Sequence, residues 1–161
     1  MKVVFLTDRH RGSFRVIESL YTSSLKELGV EVISEETPVV AEEFRKKVEQ
    51  YAGRVVFHNT LGESFVPLPG CVNIALPVHE WSRYPPCWAR LLNDFDQIWV
   101  TTKHVRKVLL DSGIKVEPQK IPPALDLEET FPKENWVTTH PFRFFSCGEP
   151  HFRKGHHLLM A

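Results

Sequence analysis

Five apolar runs of strand length, most of them separated by a segment of helical period, constrain this chain more than any motif does. KVVFLT (2–7) has no alternating polar positions, the pattern of a strand buried on both faces of a sheet. VEVIS (30–34), RVVFHN (54–59), CVNIALP (71–77) and QIWVTT (97–102) follow, and PQKIPPAL (118–125) reads as a short extended segment broken by prolines. Between the first two runs, Phe14, Ile17, Leu20, Tyr21, Leu25 and Leu28 line one side of a predicted helix over 14–28, with Ser13 as its N-cap and Gly29 as its stop. Pro38 precedes a helix over 41–51, in which Phe44, Val48 and Tyr51 share a face. Pro85 and Pro86 suit the first turn of a helix running to about Phe95. Thr102 caps a helix over 103–112 that Gly113 ends, and LGESFVPLPG is a loop. Alternation of this kind predicts an α/β, Rossmann-like doubly wound parallel sheet. Right-handed crossovers then carry the loops after the strands to one edge, where ligands bind: DRHRG, HNTLGE, PVHEWSRYP and TTKH.

Charge and cysteine content remove several functional classes. The 161 residues hold 20 Lys plus Arg against 20 Asp plus Glu, so no global field draws the chain to nucleic acid, and a basic site must be local. Cys71, Cys87 and Cys147 lack CxxC spacing, and an odd count leaves one thiol unpaired, which fits a reduced, cytoplasmic setting. No apolar run approaches the roughly 18–20 residues of a transmembrane segment. KVVFLT meets Asp8 and Arg9 too soon to be a signal-peptide core. PKENWVTTHP (132–141) reads as a linker, and FRFFSC (142–147) with the residues after it as a further strand and helix. The expected organisation is therefore a domain over 1–131, a linker over 132–141 and a second unit begun over 142–161.

Each loop at the predicted edge carries a functional and an ordinary reading. Gly12 and Ser13 at a helix start, with Arg9, Arg11 and Arg15 nearby, suit an anion, or else form a solvated basic turn. His58 and Asn59 end the third strand as substrate ligands or as structural residues. His79 is placed to act on a hydroxyl, and Glu80 to accept a hydrogen bond or orient a neighbour, while Trp81 and Tyr84 offer faces to a sugar. The competing arrangement pairs Glu80 with Arg83 and packs Trp81 in the core. Thr101, Thr102 and Lys103 line the cleft, although Thr102 is equally explained as a cap. His151, His156 and His157 contain no i, i+4 pair, so no metal is expected there. The chain lacks GxGxxG, the dinucleotide fingerprint.

In VNIALPVHEWSRYPPCWARLLNDFDQIWVT (72–101), Glu80, Arg83, Pro85, Trp88, Leu91, Leu92, Asn93, Asp96, Trp99 and Val100 stand in a characteristic order. That order resembles glycosyltransferases of family four (glycosyl transferases group 1), which have the two-domain GT-B fold. KIPPALDLEETFP downstream is similar to the family's passage into its second domain, and FRFFSCGEPHFRKGHHLLMA to the opening of that domain. The resemblance implies retaining transfer of a hexose from a nucleotide sugar to the hydroxyl of a glycan or small acceptor, with no metal. It assigns the acceptor side to the first domain and the donor diphosphate mainly to the second, where Lys154 beside Arg153 carries over by position. The chain departs from the pattern at three places: Glu149 stands where the family has Arg, only Gly12 remains of a glycine pair, and His79 replaces an aromatic residue. The nucleoside pocket and paired-glutamate motif are absent from these 161 residues, so little or no turnover is expected of this chain alone. The unit begun over 142–161 is expected to dock on the first domain, to pair with a donor-domain chain or a second copy, or to be poorly ordered. Two alternatives remain: a non-catalytic acceptor- or partner-binding module, and an unrelated nucleotide binder using DRHRG for phosphate.

Overall fold

The computed structural model describes residues 1–125, Phe152 and residues 155–159. Among these, the apolar runs become β1 (Lys2–Thr7), β2 (Glu31–Glu36), β3 (Val55–Asn59), β4 (Val72–Ala75) and β5 (Gln97–Val100), and the Pro-broken segment supplies a sixth short strand, β6 (Gln119–Lys120). All pair in parallel, in the order β2-β1-β3-β4-β5-β6. The helices are α1 (Gly12–Glu27), α2 (Ala41–Tyr51), α3 (Pro86–Leu92), α4 (Lys103–Asp111) and α5 (His156–Leu159), with a 3-10 turn at Gly62–Ser64. This is a Rossmann-like doubly wound α/β sheet, and no helix among the described residues is long and apolar enough to cross a membrane.

Strand periodicity divides the apolar residues between the two faces. Val3, Phe5, Phe57 and Ile74 pack with Tyr21, Ile17 and Leu25 of α1 on one face. Val4, Leu6 and Val56 pack on the other with Tyr51, Phe44 and Val48 of α2. Farther along that second face, Ala75, Ile98 and Val100 meet Ala89 and Leu92 of α3 and Val105, Val108 and Leu109 of α4. Central strands are thus covered on both sides, as their unbroken apolar sequence requires. The phenol of Tyr21 donates to the backbone oxygen of Ile121, joining α1 to the chain just beyond β6.

Helix ends follow local chemistry, with two corrections. Thr102 caps α4 as expected, its hydroxyl accepting from Val105 N at 3.1 Å. Ser13 does not cap α1: the helix starts at Gly12, Arg11 is the N-cap, and no side chain bonds to that end. Asp8 explains the earlier start, because its carboxylate accepts from His10 N at 3.2 Å and holds Arg11 Nε at 3.3 Å, turning the loop into the helix one residue sooner. Helix α3 stops at Leu92, short of Phe95, where Asn93 turns its side chain to Gly113 O and Lys115 N.

The chain divides into two units, Met1–Leu125 and Asp126–Ala161. In the second, the Phe152 ring stacks on His157 with centroids 4.0 Å apart. The strand expected over 142–147, together with His151, Arg153, Lys154 and Glu149, lies outside the described residues.

Among the described glycines, Gly62 leaves the least room for a side chain. Its φ is +50°, and a Cβ there would lie 2.5 Å from Cε2 of Trp88. Left-handed strain and overlap with an indole each cost about 1–3 kcal/mol. Gly62→Ala is expected to lower the urea-unfolding free energy by about 2–4 kcal/mol, checked by equilibrium unfolding followed by tryptophan fluorescence.

Candidate functional site at the carboxyl edge of the sheet

From β1 the chain winds to β2 on one side, and from β3 it winds towards β6 on the other, so the strand order reverses between β1 and β3. Adjacent loops diverge at such a point and leave a crevice beyond the carboxyl ends of the strands. Here Thr7 is in register with Glu36 of β2 and Asn59 of β3, so three loops leave the sheet side by side. Between them lies a cavity of about 340 Å³, lined by residues from all three loops and flanked by the apolar side chains of Val39, Phe44, Val66 and Leu68. That volume falls at the lower end of the roughly 300–1,000 Å³ typical of small-molecule sites.

The polar lining is acidic and hydroxylated. Asp8 and His10 come from the first loop, Glu36 and Thr37 from the end of β2, His58 from β3, and Thr60, Glu63 and Ser64 from the loop after β3. His10 Nε2 lies 3.2 Å from Glu36 Oε1, bridging two of the loops. Thr60 is 1% exposed, and its hydroxyl has no hydrogen-bond partner; the Thr37 hydroxyl is likewise buried and unpartnered. Unmet polar groups in a cavity wall represent hydrogen-bonding capacity that water or a ligand must fill.

His58 is fixed by its surroundings. Its Nε2 lies 2.9 Å from Asn73 Oδ1, which also accepts from Leu68 N at 2.8 Å, while Asn73 Nδ2 faces Leu68 O at 3.0 Å and Cys71 O at 3.2 Å. These partners set the amide orientation, so Oδ1 can only accept and Nε2 must carry the proton. Nδ1 keeps its lone pair. Burial pushes the His58 pKa down to about 4, outweighing the opposing hydrogen bond to Asn73, so the ring is neutral at ordinary pH. A neutral, weakly basic imidazole accepts a hydrogen bond but is a poor proton acceptor.

No protein-family model, curated protein or solved structure matches this chain.

The other candidate residues are placed differently. Asn59 does not line the cavity: its side-chain nitrogen donates to Phe14 O at 2.8 Å, tying β3 to α1. Arg11, Gly12 and Ser13 are exposed at the start of α1, outside the cavity lining. A Cβ at Gly12 would meet nothing within 4 Å, so no close approach requires glycine there. Arg9 pairs with Glu18 at 3.3 Å and Arg11 with Asp8 at 3.3 Å, leaving the loop's two guanidinium groups each opposed by a carboxylate.

His79, Glu80, Trp81 and Arg83 stand together on the loop after β4, and none lines the cavity. His79 Nε2 lies 2.7 Å from Arg83 O, and its ring meets those of Tyr84 and Trp81 edge-on at 4.9 Å and 5.9 Å. Trp81 is 65% exposed, so it is a surface platform and not core. Tyr84 is buried, its phenol pKa raised by desolvation. Lys103 is exposed at the first turn of α4. Sequence reasoning missed Asp8, Glu36, Thr37, Thr60 and Glu63. Glu36 and Thr37 were beyond its reach because only the strand order brings the end of β2 beside β1.

His58 makes stability depend on acid. Its folded pKa of about 4 lies below the unfolded value of 6.5, so the unfolded chain binds the extra proton between those pH values. The contribution is complete above about pH 6.5 and is lost as pH falls towards 4, with a magnitude of about 3 kcal/mol. His58→Gln should flatten this part of the profile when unfolding free energies of both proteins are compared by urea titration across that range; equal slopes would remove His58 as the cause.

Proposed function

We propose that this chain is the acceptor-binding side of a GT-B glycosyltransferase, and that the cavity between the β1, β2 and β3 ends holds a hydroxylated acceptor. The observation that carries this reading is the cavity lining itself: carboxylates, two buried unpartnered hydroxyls and a neutral histidine, against an apolar wall. Carboxylate and imidazole acceptors suit sugar hydroxyls, and the Val39, Phe44 and Val66 side chains suit the carbon face of a sugar ring. The transferase chemistry comes from the sequence resemblance over 72–101, in which a nucleotide sugar is the donor, a hydroxyl is the acceptor and no metal takes part.

Diphosphate binding by DRHRG is less well supported. Arg9 and Arg11 face Glu18 and Asp8, so the loop and its partners present balanced charge to an incoming anion. The same cavity also serves a non-catalytic acceptor-binding module, and turnover separates that reading from a transferase half.

Ligand-observed NMR and thermal shift on the full chain test the assignment. Glucose and mannose should bind at millimolar concentration or tighter, and Thr60→Val should weaken binding about three- to tenfold, consistent with loss of one hydrogen bond. UDP-glucose and GDP-mannose should leave the melting temperature unchanged. A nucleotide-induced rise that Arg11→Ala abolishes would transfer the site to the β1–α1 loop and overturn this assignment.

A further inference from the structure

The charge of the cavity specifies more than hydroxyl binding. Three carboxylates line it from three separate segments: Asp8 after β1, Glu36 at the end of β2 and Glu63 after β3. Asp8 is opposed by Arg11, which lies outside the lining. Glu36 faces His10 at 3.2 Å, a contact that is an ion pair only when the imidazole is protonated. Glu63, on the 3-10 turn, has no ion pair among the described residues. Neither lysine nor arginine contributes to the lining, and His58 is buried and neutral. Three carboxylates against no lysine or arginine make the lining itself acidic, over a surface that is partly apolar and partly open to solvent, with Glu36 and Glu63 exposed.

A second feature points independently to a ligand. Thr60 is 1% exposed, lines this cavity, and leaves its hydroxyl oxygen without a partner. Thr37, a partly exposed residue just after β2, has its own buried, unpartnered hydroxyl. An acidic surface alone would be satisfied by solvent cations. Acidic groups combined with buried, unmet hydroxyls and an apolar wall fit an organic cation that also carries hydroxyls.

Resting on the acceptor reading above, we propose that the ligand of this cavity is an amino sugar or aminocyclitol, its protonated amine held by Glu63 and Glu36 and its hydroxyls by Thr60 and Thr37. Charge-assisted hydrogen bonds are roughly twice as strong as neutral ones, so the amine supplies most of the selectivity. The same carboxylates repel a phosphorylated or carboxylated sugar of equal size.

Isothermal titration calorimetry on the full chain at neutral pH separates the possibilities. The probes are glucosamine, N-acetylglucosamine, glucose and glucose 6-phosphate. Glucosamine should bind at least tenfold tighter than glucose or N-acetylglucosamine, with glucose 6-phosphate weakest. Glu63→Gln and Glu36→Gln should each narrow the gap between glucosamine and glucose, and raised salt should narrow it further. Equal affinities for glucosamine and glucose would overturn the amine inference and leave the acceptor reading standing. Tightest binding by glucose 6-phosphate would also overturn it, and absence of binding by all four would overturn both.

Discussion

The buried amide of Asn73 satisfies four polar groups at once and ties the second half of the sheet to the first. Its oxygen accepts from Leu68 N and His58, and its nitrogen donates to the carbonyls of Leu68 and Cys71. Its backbone N–H donates in turn to Asp96, just before β5. A buried polar group without partners costs several kcal/mol, whereas a fully paired network restricts its neighbours to one arrangement. Because both amide groups of Asn73 are committed to the loop between β3 and β4, that loop has one favourable path. It carries Thr60, Glu63, Ser64, Val66 and Leu68 to the cavity.

Several consequences share this origin. His58 is held in one tautomer by the same oxygen that anchors Leu68, so the neutral state of the ring and the course of the loop are coupled. The loop returns past α3, where Gly62 lies close against the Trp88 indole. Trp88 in turn meets Tyr84 edge-on at 5.7 Å, and Tyr84 meets His79. Loops on either side of β4 are therefore braced by aromatic contact, with Trp81 left outward on their rim.

The charged residues show how context changes the meaning of a motif. DRHRG contains two arginines and a histidine, and in isolation it suggests an anion site. In the folded chain Arg9 turns to Glu18 one helical stretch away, Arg11 folds back onto Asp8, and His10 reaches Glu36 on another strand. Charge that is concentrated in sequence is distributed in space. The acid that dominates the cavity comes from residues dispersed along the chain, which no local window displays together.

Sequence by itself determined the α/β class, the identity of the main strands and the edge at which the loops gather. Unbroken apolar runs can be buried only on both faces, and the intervening helical periods leave parallel pairing as the natural solution. Thr102 as a cap and the two prolines opening α3 were legible for the same reason, since both act over three or four residues. Tertiary structure alone decided the order β2-β1-β3. That order depends on which strand edges meet, a long-range choice with no periodic signature. It placed Glu36 and Thr37 beside Asp8 and Thr60, sent Asn59 to α1 and turned His58 towards the cavity. The chemistry of the site follows from that adjacency.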